Sequence, residues 1–474
     1  MADAIGTLLI FGASGDLTNR LLLPALGQLL SSSEGPHTLT VVGSGTEQWD
    51  DDTWRERVRA AFASVDATGP RVDAVLAGTR YAAADVTDAD DLRRLLALCD
   101  GPPAIYFALP PAVTARSCAA LRDLDLPEGT SLVLEKPFGT DERSAHALND
   151  LLTAVVPESR IHRVDHFLAK TTVLNILGLR FANRIFEPLW SADHIERVDI
   201  VFDEPLALED RARYYDGAGA LVDMIQSHLL QVMAVVAMDP PLSIDARDLR
   251  DRKEEVMRST RIWGGDPVKA SRRARYTAGT IDGRDLPAYV DEPGVDPARD
   301  TETLAEITLE IDSWRWPGVP FRLRSGKALA DKRKEIIISF KPVPRRIPGL
   351  YGTAVPAQLV ISLGPEKISL DINVNGPDEP FELDREHLVA EFNAGRLPAY
   401  GEVLDAVFRG DPTLSVRGDT AEECWRIVDP VLAAWKAGDV PIDEYAAGST
   451  GPDTWNDPSV GVPVTTTAPA TPGS

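Results

Sequence analysis

The sequence predicts an α/β domain of the Rossmann type followed by a larger α+β domain with a mainly antiparallel sheet. Three observations carry this. From Thr7 to Leu134, short apolar runs alternate with helical stretches, the signature of a parallel sheet covered on both faces. From about residue 170, strand candidates follow one another with little helix between them, as in antiparallel sheets. A glycine turn lies between the first strand and the first helix, where a dinucleotide-binding fold holds its diphosphate.

The elements follow in order. Thr7–Phe11 is an apolar strand ended by Gly12, and a helix is expected over Leu17–Leu30. Leu39–Val42 is a second strand, followed by a helix over Trp54–Val65. Tyr81–Val86, Ala104–Ala108 and Ser131–Leu134 read as further strands, with helices over Asp88–Leu98 and Ala112–Leu124. In the second domain, Ile195–Phe202, Thr303–Ile311, Phe321–Arg324, Glu335–Phe340, Gln358–Leu363 and Lys367–Val374 read as strands. Helices are expected over Gly219–Met238, Leu383–Asn393, Tyr400–Arg409 and Thr420–Ala437. The division is a dinucleotide-binding domain over 1–170, an α+β domain over 171–462, and a low-complexity, flexible tail over 463–474.

Composition narrows the function. The chain has 474 residues, 44% of them hydrophobic and 26% charged, which excludes a disordered or fibrous chain. The formal net charge of −24 argues against nucleic acid or an anionic membrane surface as partner. An anionic ligand would need a locally positive site. No window approaches about 18 uninterrupted apolar residues, so no transmembrane helix is expected. No signal peptide precedes the first strand, and a cytoplasmic location is expected. Cys99, Cys118 and Cys424 lack metal-ligand spacing and read as reduced thiols, and no metal site is expected.

The glycine turn, Gly12-Ala13-Ser14-Gly15-Asp16-Leu17, is the candidate cofactor site. Gly12 permits a tight turn, Gly15 allows a diphosphate to approach, and helix N-terminal amides face its charge. The spacing is not GxGxxG, so position carries the reading more than pattern. At the end of the second strand an acid would accept from a ribose 2′-hydroxyl, and an Arg would pair with a 2′-phosphate. The segment there, Gly43-Ser44-Gly45-Thr46-Glu47, contains no Arg.

Further motifs lie downstream: Glu135-Lys136-Pro137-Phe138-Gly139, Arg163-Val164-Asp165-His166-Phe167-Leu168-Ala169-Lys170, Asp223-Met224-Ile225-Gln226-Ser227-His228, Phe321-Arg322-Leu323-Arg324-Ser325-Gly326-Lys327 and Gly448-Ser449-Thr450-Gly451-Pro452. With the glycine turn they run in order over nearly the whole chain, and together they resemble the glucose-6-phosphate dehydrogenase family.

The resemblance implies oxidation of D-glucose 6-phosphate at C1 to 6-phospho-D-glucono-1,5-lactone, the first step of the oxidative pentose phosphate pathway, with hydride transfer to NADP. By this resemblance His228 is the general base and Asp165 the carboxylate behind it. Lys170 and His166 match phosphate ligands, both read as donors of the right sign for a dianion. Lys136 would reach both cofactor and sugar. Lys327 and Lys332 match positions at the sugar and its phosphate end, and Glu204 and Asp223 match acids that accept from ring hydroxyls. The chain has 10 Lys against 39 Arg, and four of those Lys fall on these positions, which supports a retained site. Gly12, Ala13, Ser14, Gly15, Asp16, Leu17, Thr46, Asp85 and Lys136 are the expected cofactor contacts. The family also implies a homodimer or homotetramer formed through the second domain's sheet.

Some positions depart from the family pattern. Phe167 replaces a Tyr, Ser227 an Asn, Val222 an Arg and Asn19 a Lys. Thr46 replaces the Arg that meets the 2′-phosphate, which leaves NAD admissible beside NADP. Arg20, Arg55 and Arg57 are the candidate substitutes. Two other readings stay open on the sequence: a sugar (phosphate) dehydrogenase of the same fold with NAD preference or altered substrate, and a non-catalytic regulatory or assembly paralogue.

Overall fold

The computed structural model describes residues 5–455 except 33–35, 37, 210, 211, 353 and 394. The expected tail lies outside the described residues.

Six strands, β1 (Thr7–Phe11), β2 (Thr40–Gly45), β3 (Arg80–Ala83), β4 (Pro103–Phe107), β5 (Ser131–Glu135) and β6 (Ile161–Val164), form a parallel sheet in the order β6-β5-β4-β1-β2-β3. β1 and β4 are buried along their whole length, which explains their continuous apolar sequence: helices cover both faces. Strand order reverses at β1, flanked by β2 and β4, and the glycine turn follows β1 there. The carboxyl ends at such a switch point form a ligand crevice.

The connecting helices are α1 (Leu23–Ser31), entered through a π-helical turn at Thr18–Leu22, α2 (Asp51–Ala63), α3 (Pro70–Gly78), α4 (Ala89–Leu96), α5 (Pro111–Arg122) and α6 (Glu142–Val155). Side chains set their starts. Asp50 accepts from the Thr53 N–H at α2, and Asp141 and Ser144 form a capping box at α6. α2 is seated on the sheet by Trp54, fully buried, whose indole N–H donates to Thr79 Oγ1 at 2.8 Å. A Cβ on Gly43 would stand 2.8 Å from that indole, so glycine in β2 admits the ring. Truncating such a Trp costs about 3–5 kcal/mol.

After α7 (Thr171–Phe181) the chain builds an 11-stranded sheet. Its central strands are β7 (Ile195–Asp203), β12 (Leu304–Ile311), β13 (Phe321–Gly326) and β14 (Lys334–Phe340). β8 (Thr260–Ile262) and β9 (Ser271–Thr277) also pair with β12, β10 (Gly279–Ile281) and β11 (Arg284–Leu286) form a separate antiparallel pair, and β15 (Tyr351–Gly352) lies at the sheet's outer edge. β16 (Gln358–Ser362), β17 (Lys367–Asn375) and β18 (Glu382–Glu391) extend it outward. Most pairings are antiparallel; β7 and β13 run parallel. The helix expected at Leu383–Asn393 is β18, paired with β17 over nine residues. Leu, Arg, Glu and Ala favour helix locally, but a full-length ladder overrides propensity.

The helix over Tyr214–Ala237 has the length and apolarity to cross a membrane, which the sequence reading did not anticipate. It is packed as a core helix: every residue of its last part, Leu230–Ala237, is buried. Its stretch Leu221–Leu229 is π-helical, a local widening that recurs at functional sites.

The chain then returns to the first domain. The helix Ala399–Phe408 contributes Val403, Leu404 and Val407 to the core around α1. The short strand Ser415–Val416 pairs antiparallel with β6 at Val164 and Arg163. The stretch 399–416, assigned to the second domain from sequence, thus packs on the first sheet and braces the strand that ends at Asp165.

Candidate active site

Several element ends converge between the two sheets. β6 delivers Asp165, β5 delivers Lys136, the π-helical stretch delivers Asp223 and His228, and β7, β13 and β14 deliver Glu204, Lys327 and Lys334.

His228 Nδ1 lies 2.6 Å from Asp165 Oδ1, and both residues are buried. The same Oδ1 accepts from the Phe167 N–H at 3.0 Å, and Oδ2 accepts from the Ser227 hydroxyl at 2.6 Å. The carboxylate therefore holds three donors, which keeps it ionised despite burial. Burial would raise the Asp165 pKa, but the charge and hydrogen bond of His228 outweigh it and hold the group well below the carboxylate range. Burial lowers the His228 pKa, and Asp165 opposes that shift. A neutral imidazole donating from Nδ1 to Asp165 leaves Nε2 as acceptor, the arrangement a general base needs.

Phe167 stacks on His228 with centroids 4.3 Å apart and planes at 17°. It also presents its face to Lys170 Nζ, 4.0 Å from the ring centroid. The missing tyrosine hydroxyl is thus accompanied by a ring that positions both base and lysine. Ser227, in place of the family's Asn, binds the dyad carboxylate directly.

His166 meets His228 edge-on at 4.8 Å and stacks on Tyr400 at 5.3 Å. Burial, then the neighbouring His228, pushes its pKa down to about 3. At neutral pH it therefore offers a neutral N–H. A neutral imidazole still presents one N–H as a donor, while the neighbouring cations Lys170 and Lys136 oppose its protonation.

Lys136 Nζ donates to the Asp223 backbone carbonyl and lies 3.4 Å from Asp223 Oδ1, joining the first sheet to the second domain. Lys170 Nζ donates to Leu363 O at 3.4 Å; burial, then Lys334, lowers its pKa to about 8. Glu204 bridges two cations, Lys334 at 2.7 Å and Lys327 at 3.4 Å. The structure does not bring Lys332 into this cluster. Lys332 is exposed on the turn, whereas Lys334 starts β14 opposite Phe202 and places its ammonium 4.1 Å from that ring. Sequence reasoning missed Lys334; its position two residues on, at the start of a predicted strand, was the available signal. It also missed Tyr400, and it placed Glu135 in a motif without giving it a role. Burial raises the Glu135 pKa to about 7, and its carboxyl accepts from the Tyr106 hydroxyl.

The glycine turn has the geometry of a diphosphate cradle. Gly12 has φ +80°, and a Cβ there would stand 2.2 Å from Ala108 O, so both conformation and space require glycine. Its N–H and that of Ala13 donate to Ser44 O. A Cβ on Gly15 would meet only Gly12 O within 4 Å, so that flank is open to a ligand. Asn19, in place of the family's Lys, braces the turn by donating to Gly15 O at 2.8 Å and Ser14 O at 3.2 Å. Leu17 leads into the π-helical turn, and Asp16 is exposed, paired with Arg20. Thr46 is exposed just beyond β2. Asp85 follows β3 and accepts from the Thr87 N–H and hydroxyl; its neighbour Ala84 donates to Gly45 O, so this segment lies beside the end of β2. These residues fit a dinucleotide. Among the described residues, no group of three or more His, Cys, Asp and Glu could hold a metal ion.

Comparison with known proteins agrees with the whole architecture. Residues 9–175 match the family model for the glucose-6-phosphate dehydrogenase NAD binding domain, and residues 177–458 that for the C-terminal domain. Glucose-6-phosphate 1-dehydrogenase of Gluconobacter oxydans (strain 621H) is 39% identical over 479 aligned positions, covering 95% of this chain and 97% of that protein. The crystal structure of the Mycobacterium avium enzyme superposes with a TM-score of 0.82 at 36% identity, covering 95% of this chain and 96% of the other. A glucose-6-phosphate dehydrogenase in complex with glucose 6-phosphate superposes with a TM-score of 0.85 at 29% identity, covering 96% and 97%.

Proposed function

Since the chain belongs to the glucose-6-phosphate dehydrogenase family, we propose that His228 and Asp165 carry the proton transfer of its reaction. The protein is an oxidoreductase acting on a CH–OH group and oxidises D-glucose 6-phosphate at C1 to 6-phospho-D-glucono-1,5-lactone. The observation that carries the assignment of roles is the 2.6 Å contact of buried His228 Nδ1 with buried Asp165.

His228 Nε2 takes the proton of the C1 hydroxyl. The imidazolium that forms keeps its Nδ1–H on Asp165, whose negative charge is already in place, so little reorganisation accompanies the transfer. Asp165 does not take the proton; it orients the ring and stabilises the charge, as the acid of a serine-hydrolase triad does. Lys170 binds the 6-phosphate by charge, with His166 as a neutral donor. Lys136 and Asp223, already joined, face the sugar together; Glu204 accepts from a ring hydroxyl while Lys327 and Lys334 keep it ionised. Gly12 to Leu17 hold the dinucleotide diphosphate. A dinucleotide held there would supply the acceptor for the hydride that leaves C1.

NADP is the preferred acceptor in this reading, on the family's pattern and on Arg20 and Arg57, which line the cavity beside the glycine turn. A second reading, that NAD serves equally, is favoured by one observation. The Glu47 carboxylate folds back toward Gly45, 2.7 Å from where a Cβ would stand, at the strand end where an acid meets a free ribose hydroxyl. The test is nicotinamide reduction by the purified protein with glucose or glucose 6-phosphate, each with NAD or NADP. Higher kcat/KM with glucose 6-phosphate than with glucose, and with NADP than with NAD, is expected; no turnover with glucose 6-phosphate would contradict the roles assigned.

The outer strands of the second sheet support assembly of copies through that sheet, as a homodimer or homotetramer. Leu388, Val389 and Phe392 are exposed there, apolar side chains at an outer strand that another copy would cover. The three cysteines are unpaired, which accords with a cytoplasmic location; recovery in a membrane fraction would contradict it.

A further inference from the structure

α1, α2 and the glycine turn frame a cavity of about 770 Å³, with Ser14, Asp16, Asn19 and Arg20 on one wall and Arg57 and Ser64 on the other. It adjoins the carboxyl end of β2, because the Ser14 hydroxyl lies 3.5 Å from where a Cβ on Gly45 would stand. In this fold the ribose 2′ position of a dinucleotide falls beside that strand end. Thr46 does not line the cavity.

Three arginines lie near, and their environments differ. Arg55 is engaged elsewhere: Nε donates to Leu76 O, and its guanidinium pairs with Asp52. Arg20 is paired with Asp16 at 3.3 Å, so the two largely cancel. Arg57 has no carboxylate partner among the described residues, and its guanidinium carbon lies 4.3 Å from the centre of the Trp49 ring. Trp49 packs on Tyr81 at 5.3 Å, and the Tyr81 hydroxyl donates to Glu47 O at 3.1 Å. The loop after β2 and the Arg57 side chain thus form one assembly. Stacking holds the guanidinium by its face and leaves its edge donors free for a planar, two-point contact with phosphate oxygens.

We propose that Arg57, held on Trp49, recognises the 2′-phosphate of NADP in this chain and replaces the absent basic side chain at position 46. The proposal rests on the NADP reading above. With Arg20 cancelled by Asp16, Arg57 decides the sign of the cavity: without it, the charged side chains that line the cavity, Arg20 and Asp16, sum to zero. Trp49 is the positioning residue.

The test is calorimetric binding of adenosine 2′,5′-bisphosphate and of adenosine 5′-monophosphate to the full chain and to its Arg57→Gln and Trp49→Leu variants. Arg57 is exposed on α2, so its replacement leaves the core intact. The unmodified chain is expected to bind the bisphosphate more tightly. Arg57→Gln should reduce that preference about tenfold or more, the range for losing charge-assisted bonds, and Trp49→Leu should reduce it by less. A preference retained in Arg57→Gln overturns the role of Arg57 while the NADP reading stands. No preference in the unmodified chain overturns both.

Discussion

Replacing Asp165 by Asn removes a charge from behind the catalytic base and little else. Oδ1 accepts from both His228 Nδ1 and the Phe167 N–H, whereas Oδ2 meets only the Ser227 hydroxyl. The amide oxygen of Asn can therefore occupy the Oδ1 position and keep both donors, while its NH2 donates to Ser227 Oγ. The Phe167 N–H favours this orientation and preserves the His228 tautomer. What is lost is the difference between a hydrogen bond to a charged group, about 1.5–3 kcal/mol, and a neutral one, about 0.5–1.5 kcal/mol. A loss of about 1–2 kcal/mol from a charge that forms in the transition state lowers kcat roughly 5–30-fold, at about 1.4 kcal/mol per factor of ten. The pH profile adds a second readout. Asp165 raises the His228 pKa against burial, so its removal lets that pKa fall, and the acidic limb of kcat/KM moves to lower pH as the plateau drops. Steady-state reduction of the nicotinamide over a range of pH measures both. A kcat within about twofold of the unmodified enzyme, with an unmoved acidic limb, would refute the reasoning.

Three further outcomes are expected. Lys170→Ala should raise KM for glucose 6-phosphate about tenfold or more and hardly affect unphosphorylated glucose. In the unmodified enzyme, kcat/KM for the phosphorylated sugar should fall as pH rises through about 8, where Lys170 loses its charge, and Lys170→Ala should abolish that limb; equal effects on both sugars would place Lys170 away from the phosphate. Leu388→Glu, on the exposed outer strand β18, should shift the protein toward monomer in light scattering, and an unchanged mass would locate the interface elsewhere.

The first domain was legible because its signals are local. Strand, glycine turn and helix follow within one short stretch, and Gly12 is demanded by a positive φ and a close carbonyl. The dyad was legible only through the family pattern: its partners stand 63 residues apart, and no spacing rule brings β6 and a π-helical stretch together. Lys334 was missed because its place depends on β14 pairing with β7, a long-range register. β18 was misread because its composition suits a helix, and only pairing with β17 makes it a strand. The return of residues 399–416 to the first sheet, which stacks Tyr400 on His166, has no local signature at all. Arg57 was one of three candidates in the sequence, and the ion pairs of Arg20 and Arg55 set it apart.

The central claim is that His228 removes the C1 hydroxyl proton of glucose 6-phosphate. The most direct test is kcat of His228→Asn with glucose 6-phosphate and NADP, alongside binding of both ligands to the same variant. Loss of general base catalysis predicts a fall of at least about 10²-fold in kcat, with cofactor affinity little changed, since the glycine turn lies on another element. Turnover close to that of the unmodified enzyme would contradict the claim and leave His228 as a buried core histidine.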